Sequence, residues 1–225
     1  MISRYALYQT DQLRDRFTLP QGLPKGIRPS YNISPAQTVP VVVERNGQRI
    51  VEKMMWGFLP QGAKNANSIF RYKTQAVRSE KVLEKHSYRF AIRSQRCIIP
   101  VNGFYEWKQA KDQKRPFYLH SGDDKLLGLA GIYSTWTDAE EQEQSLCAVL
   151  TIDTESTDNM MPRTLPIVIE QSHENDWLNP TIGDLSTLYE IMRPTGHNTF
   201  IVTPVGEAIN STKVDTPELI KRLVR

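Results

Sequence analysis

Residues 39–58 read VPVVVERNGQRIVEKMMWGF, and this stretch decides the fold class. Two runs rich in strand-forming residues flank Asn46-Gly47, a dipeptide typical of the tight turn between antiparallel strands. The stretch therefore predicts a β-hairpin. Further strand-like segments occupy residues 3–9, 96–107, 115–120, 125–136, 146–154, 165–170 and 199–205. Their short connections favour antiparallel pairing.

Helical patterns lie between and after these strands. Residues 78–92 carry apolar side chains at helical spacing, and shorter helices are predicted at 10–17, 172–178 and 183–193. Residues 215–224 predict a C-terminal helix with Pro217 in its first turn. Residues 19–40, rich in proline and glycine, predict a long loop. Together the patterns predict a single α+β domain over residues 1–225, with a closed or strongly curved, mostly antiparallel sheet and peripheral helices.

Composition narrows the class of protein. The chain has 225 residues, of which 39% are hydrophobic and 24% charged, as is typical of globular proteins. No apolar run approaches the ~20 residues that span a bilayer, and no signal peptide opens the chain. We therefore expect a cytoplasmic protein without a membrane partner. Its two cysteines, Cys97 and Cys147, lie in strand-like contexts that favour buried thiols over a disulfide or a metal pair.

No pattern in the chain calls for a cofactor. The four histidines have no cysteine or histidine at metal-ligand spacing, and no glycine-rich phosphate loop is present. We therefore predict neither a metal site nor a nucleotide cofactor. The oligomeric state is left open.

Positive charge is concentrated in two groups, although the net charge is only +3. Clustered lysine and arginine indicate either a solvated helix face or a surface that binds the phosphates of a nucleic acid. The first group consists of Arg71, Lys73, Arg78, Lys81, Lys85, Arg89, Arg93 and Arg96. The second group consists of Lys108, Lys111, Lys114 and Arg115.

Ten short motifs, taken in order, resemble those of one known family. They are SRYALY, PSYNISPAQ, MMWGFLP, RCIIPVNGFYEWK, RPFYLH, LAGIYSTW, TIDT, LPIVIE, WLNP and TPELI. Their order resembles the SRAP family, the SOS-response-associated proteins that act on abasic sites in single-stranded DNA. The resemblance covers essentially the whole chain.

The resemblance implies a specific reaction. Members of the family begin Met-Cys-Gly-Arg, and removal of the methionine leaves a free amine beside a thiol. The amine condenses with the aldehyde of an abasic site, and the thiol closes a stable thiazolidine ring. The second attack is favoured because both nucleophiles belong to one residue. The asparagine of an Asn-Ala-Arg motif, a glutamate and the histidine of a His-Asp-Arg-Met-Pro motif assist.

Carried over position by position, most of these groups are missing. The family cysteine corresponds to Ile2, the asparagine to Ile69 in SIFRYKT, and the histidine to Pro162. The glutamate corresponds to Glu106 in FYEW, where it either serves acid–base chemistry or pairs with a nearby arginine. Because Ile2 is large, we expect Met1 to be retained.

Six positions are predicted to contact DNA on the strength of the resemblance. They are Arg4, Asn32, Trp56, Arg71, Thr74 and Arg78. Arginine suits phosphate because its planar group donates hydrogen bonds in pairs, but Arg4 and Arg71 could instead form structural ion pairs. Trp56 is either a core residue or a base-stacking surface. Asn32 fits a turn or the wall of the site.

Three functions follow from these observations. The first is a catalytically degenerate SRAP-like protein of the DNA-damage response that binds single-stranded or abasic DNA noncovalently in a basic cleft, which Arg4, Arg71 and Glu106 are expected to line. The second is residual Schiff-base or lyase activity through the Met1 amine and Glu106. The third is a protein-interaction module that retains only the fold.

Overall fold

The computed structural model of the protein describes residues 2–59, 73–84, 86–110, 113–137, 141–153, 162–193 and 200–223. The strands are β1 (Tyr5–Leu7), β2 (Ser30–Ile33), β3 (Thr38–Arg45), β4 (Gln48–Trp56), β5 (Ala76–Arg78), β6 (Arg96–Val101), β7 (Gly103–Ala110), β8 (Gln113–Ser121), β9 (Leu127–Thr137), β10 (Glu143–Asp153), β11 (Thr164–Pro166) and β12 (Phe200–Pro204). The α-helices among the described residues are α1 (Leu13–Arg16), α2 (Ser79–Glu84), α3 (His86–Ser94), α4 (Glu174–Leu178) and α5 (Leu185–Met192).

The predicted hairpin is confirmed and forms one wall of a closed sheet. Strands β3 and β4 pair antiparallel from Thr38 opposite Met55 to Arg45 opposite Gln48. Asn46 and Gly47 form the turn with φ angles of 53° and 75°. These positive angles match the twist of the flanking strands, which explains the choice of asparagine and glycine.

The seven-stranded sheet closes on itself. Pairing runs from β10 to β4, β3, β6 and β9, and β9 pairs with β10 again. These pairs are antiparallel except β10 with β4, where Cys147 lies opposite Trp56. Strands β5 and β11 attach to β10 outside the ring. The expectation of a closed, mostly antiparallel sheet in an α+β protein is therefore confirmed.

A second sheet of five strands carries the start of the chain. Its order is β12-β8-β7-β1-β2, and every neighbouring pair is antiparallel. Side chains alternate along β1 and β7, so each strand presents one row to either face. Tyr5 and Phe104 belong to the main core shared with the closed sheet, whereas Ala6 and Tyr105 belong to a smaller cluster on the opposite face.

The end of the chain covers that opposite face. Val205, Ile209 and Leu219 pack on it, and the backbone turns as short 3-10 helices at Glu207–Asn210 and Pro217–Ile220. The prediction of an α-helix over residues 215–224 is therefore wrong for the part described. Hydrogen bonds to the second sheet hold this segment instead: the Asp215 carboxylate accepts from Tyr31 N and Ser30 Oγ on β2.

Two other local predictions change. The helical pattern of residues 78–92 forms the pair α2 and α3. The predicted loop of residues 19–40 contains β2, which pairs with β1.

Cys97 and Cys147 are free and buried, as predicted. None of the described helices is long and apolar enough to cross a membrane.

Candidate functional site

The start of the chain runs beside β7. Tyr5 lies opposite Phe104 in the pairing of β1 with β7, and Tyr105 N donates a 2.9 Å hydrogen bond to Arg4 O. Ile2 precedes this strand and is fully buried. Its side chain can contribute only apolar contacts, so the second residue offers no nucleophile.

Glu106 supplies a carboxyl group on the core side of the second sheet. It follows Tyr105 on β7 and therefore faces the same side as Phe104. Its side chain is almost fully buried. Burial raises the pKa of Glu106 above its ordinary value, while the positive charges of the amino terminus and of Lys108 act in the opposite direction. A carboxyl group with a raised pKa is suited to donating a proton.

Gln75 is a site residue that the sequence reasoning missed. Its Nε2 lies 3.5 Å from the carbonyl oxygen of Ile2, and the side chain is buried. The backbone carbonyl oxygen of Gln75 accepts a 2.9 Å hydrogen bond from Trp56 Nε1. The segment before β5 therefore places a carboxamide against the backbone of the second residue. No recognised motif contains this glutamine, so no signal in the sequence pointed to it.

Trp56 forms the floor beneath this segment. It is fully buried, and the ring of Tyr5 meets it edge-on at 4.8 Å between centroids. The indole holds Gln75 through the hydrogen bond described above. Trp56 is therefore a core residue, the first of the two roles considered above. No face of its indole ring lies at the surface, where a base could stack.

Arg4 and Asn32 lie on the other face of the second sheet. Arg4 NH1 donates to Asn32 Oδ1 at 2.8 Å and to Ile209 O at 3.4 Å. The Asn32 amide donates to the carbonyl oxygens of Ser211 and Val214 at 2.9 and 2.6 Å. These contacts hold the C-terminal segment in place. Burial lowers the pKa of Arg4.

The expected meeting of Arg4 with Glu106 in one cleft is therefore not found. Arg4 approaches the Tyr105 side of β7, and Glu106 faces the opposite side. The difference arises because consecutive side chains of a strand point to opposite faces, so Tyr105 and Glu106 cannot lie on the same face of β7. The prediction took Arg4 and Glu106 to be neighbours, because the sequence does not show how β1 is aligned against β7.

Thr74 and Arg78 flank the Gln75 segment. Thr74 is buried, and its hydroxyl has no hydrogen-bond partner among the described residues. Arg78 is half-exposed and pairs with Asp153 at 3.0 Å. Pro162 is half-buried just before β11 and brings no titratable group. Met1, Ile69 and Arg71 lie outside the described residues.

The basic groups divide between surface and core. Lys73, Lys81, Arg89, Arg93, Lys114 and Arg115 are exposed. Arg96 is buried, so its inclusion in a DNA-binding surface was wrong. Its guanidinium donates to the carbonyl oxygens of Ile92 at 2.8 Å, of Arg93 and Trp177 at 2.6 Å, and of Asn179. It thus joins the end of α3 to the end of α4.

The two cysteines cannot replace a nucleophile at the second residue. Both are fully buried, and burial raises the pKa of each thiol. A protonated, inaccessible thiol is unreactive toward an aldehyde because the thiolate is the nucleophile. His120 also lies away from Glu106, since its ring stacks on Tyr118 on the opposite face of the sheet. The described side chains at the start of the chain thus offer a carboxyl and a carboxamide.

Comparison with known proteins gives consistent matches over most of the chain. The family model described as SOS response associated peptidase (SRAP) matches residues 1–212. Abasic site processing protein YoqW of Bacillus subtilis (strain 168) is 30% identical in an alignment of 224 residues that covers 98% of this chain and 99% of the relative. Abasic site processing protein HMCES of Xenopus tropicalis is 25% identical in an alignment of 230 positions that covers 88% of this chain and 67% of the relative.

The fold is also found among solved structures. A crystal structure of a protein from Bacteroides thetaiotaomicron matches with a TM-score of 0.84 and 21% identity, covering 98% of this chain and 99% of that one. A crystal structure of a protein from Bordetella bronchiseptica matches with a TM-score of 0.75 and 19% identity, covering 91% and 99%. At these identities the likeness concerns the fold.

Proposed function

Because this chain belongs to the SRAP family, we propose that it binds single-stranded or abasic-site DNA noncovalently and has lost the family's thiazolidine crosslink. One observation carries the loss of the crosslink. Ile2, fully buried beside Gln75, occupies the position at which the family places its cysteine. Without a thiol next to the amine, an imine formed with an abasic aldehyde cannot close into a ring.

The assisting groups support the same conclusion. The family's Asn-Ala-Arg motif can be placed on Ile69–Phe70–Arg71 or, seven residues later, on Ala76–Val77–Arg78. In either register the asparagine position is apolar. The histidine position is Pro162 in the register used above and Asp158 when the motif is anchored on Met161-Pro162, so it carries no histidine in either register. Of the three assisting side chains, the chain keeps Glu106. Gln75, at a different position from the family's asparagine, brings a carboxamide to the backbone of Ile2.

DNA binding is supported by the exposed basic side chains of both groups. Those on α2 and α3 are Lys81, Arg89 and Arg93, and those on β8 are Lys114 and Arg115. A lysine or arginine that neutralises a phosphate releases a counterion, so the affinity depends on salt. This dependence distinguishes a polyanion-binding surface from a helix face that is merely solvated.

We expect the affinity for a fluorescent single-stranded oligonucleotide, measured by anisotropy, to fall steeply as salt rises. With about four phosphate contacts, the dissociation constant should rise about 50-fold between 50 and 200 mM salt. Each contact removed should flatten the logarithmic slope by about 0.7. The variants Lys81→Gln and Lys114→Gln report on the two basic groups separately.

The matched control is Lys221→Gln, since Lys221 is exposed but lies in the C-terminal segment, where it pairs with Glu218. It should leave the slope unchanged. Binding that does not respond to salt, or no binding at all, would instead favour a protein-interaction module.

A second function is favoured by the buried carboxyl of Glu106. An α-amine has a pKa of ~8, against ~10.4 for lysine, so a useful fraction of the amine is neutral at cellular pH. The Met1 amine would attack the aldehyde carbon, and Glu106 would protonate the departing hydroxyl as water leaves and the imine forms. The imine would then hydrolyse or allow strand cleavage by β-elimination. The raised pKa of Glu106 suits this donor role.

Borohydride, which reduces an imine to a stable amine, tests this second function. Trapping of wild type on abasic DNA should fall by about 100-fold or more in the Glu106→Gln variant, because the proton donor is lost. It should also fall on acetylation of the amino terminus. Trapped peptides that map only to surface lysines would exclude the Met1 amine.

The pH profile of the trapping rate should further distinguish wild type from the Glu106→Gln variant. In the wild type, the neutral fraction of the amine rises with pH while the protonated fraction of Glu106 falls. The trapping rate is therefore expected to be flat between the raised pKa of Glu106 and the amine pKa near ~8, and to fall above it. In the Glu106→Gln variant it should rise to the same pH and then level off.

A further inference from the structure

Helix α3 exposes a large aromatic side chain that the core does not use. Phe90 is 67% exposed, more than any other large hydrophobic side chain among the described residues. Its neighbours Ala91 and Ile92 are buried and already supply the inner face of the helix. A polar residue would be expected on the outer face of an amphipathic helix, so Phe90 does not stabilise the fold by burial.

The surroundings of Phe90 are basic. Arg89 and Arg93 precede and follow it on the exposed side of α3, and Lys81 is exposed on α2. Arg93 also donates to the carbonyl oxygen of Gly183 at 3.3 Å, which fixes one side chain of this face against the loop before α5. Glu80 and Glu84 on α2 are the exposed acidic residues of the described segment from 73 to 96. The outer face of α3 itself therefore presents cations and one aromatic ring.

The chain path connects this face with the candidate site. Gln75, which contacts Ile2, leads directly into β5, and α2 begins at the residue after β5. Helices α2 and α3 pack on each other, and both pack on the closed sheet. The basic face of α3 is thus held on the closed sheet, and residues 75–79 connect it along the chain to the candidate site.

We propose that the outer face of α3, consisting of Arg89, Phe90 and Arg93, binds single-stranded DNA by stacking one base on the Phe90 ring while the arginines contact the flanking phosphates. This inference rests on the proposed DNA binding and names the surface that carries it. Single strands are held in this way because every base has a flat face and every nucleotide carries a charge. A protein partner that buried this face would have to desolvate two arginines, whereas a polyanion neutralises them.

Anisotropy with a labelled single-stranded oligonucleotide tests the assignment through four proteins: wild type, Phe90→Ala, Phe90→Trp and Tyr189→Ala. Phe90→Ala is expected to weaken binding roughly tenfold at low salt, with an unchanged salt slope because phenylalanine carries no charge. Phe90→Trp should retain or improve the affinity. Tyr189→Ala is the matched control, since Tyr189 is an exposed aromatic residue of α5 next to Glu190, and it should bind as wild type does.

Photo-crosslinking provides a second readout. An oligonucleotide that contains 5-iodouracil should crosslink to Phe90, as identified by mass spectrometry of the tryptic peptide. If wild type binds DNA but Phe90→Ala binds equally well, this face is not the stacking site and the wider function stands. If wild type does not bind single-stranded DNA at all, the proposed function fails and this inference fails with it.

Discussion

Replacing Glu174 with alanine should destabilise the protein by about 3–5 kcal/mol, because it would leave two largely buried arginines without their shared anion. Glu174 is fully buried at the start of α4. Its Oε1 accepts from Arg16 at 2.8 Å and its Oε2 from Arg49 at 2.9 Å. The three side chains join α1, β4 and α4. Urea unfolding monitored by circular dichroism measures the loss.

Two further variants make this result interpretable. Glu190→Ala removes an exposed carboxylate that lies 3.6 Å from Arg193, and it should leave the urea midpoint nearly unchanged. The triple variant Arg16→Met, Arg49→Met, Glu174→Leu should recover much of the lost stability, because apolar groups of similar size tolerate burial. A Glu174→Ala protein within about 1 kcal/mol of wild type would show that the cluster is not a buried charge network.

The fold could be predicted where local chemistry fixes the geometry. Asn46-Gly47 specifies the turn, and the runs on either side supply strands β3 and β4. The short helix at α5 could also be predicted, since Asp184 caps it by accepting from Thr187 N at 2.9 Å. These features depend on residues that are neighbours in the sequence.

The remaining features depend on contacts between distant segments. Arg96 resembles the other arginines of its group in the sequence, yet it is buried against α4, more than 80 positions away. The residues after 214 follow a helical pattern, but Asp215 is held by the backbone of Tyr31 and the segment stays largely 3-10 or irregular. Tertiary contacts overrode local preference in both cases.

The candidate site was predictable in composition and only partly in geometry. The family motifs identified Glu106 and the change at Ile2. They could not identify Gln75, whose contact with Ile2 joins residues 73 positions apart. They also placed Arg4 with Glu106, although the pairing of β1 with β7 sends the two side chains to opposite faces. A strand register is needed to decide such questions, and single motifs do not contain it.

Wild type should form no heat-stable adduct with abasic single-stranded DNA. A thiazolidine requires a thiol on the residue that carries the amine, and the two cysteines of this chain, Cys97 and Cys147, are buried in the closed sheet. Ile2→Cys, with Met1 removed, should restore at most weak crosslinking, since on the proposed assignment the family's asparagine and histidine are still missing. A family member that begins Met-Cys-Gly-Arg serves as the positive control.

The most direct test of the lost crosslink is incubation with an abasic oligonucleotide, followed by heating, a denaturing gel and intact mass spectrometry. The expected result is free protein at its unmodified mass and no shifted band, under conditions in which the positive control is converted. A heat-stable band from wild type, with the mass of protein plus oligonucleotide less one water, would contradict the account.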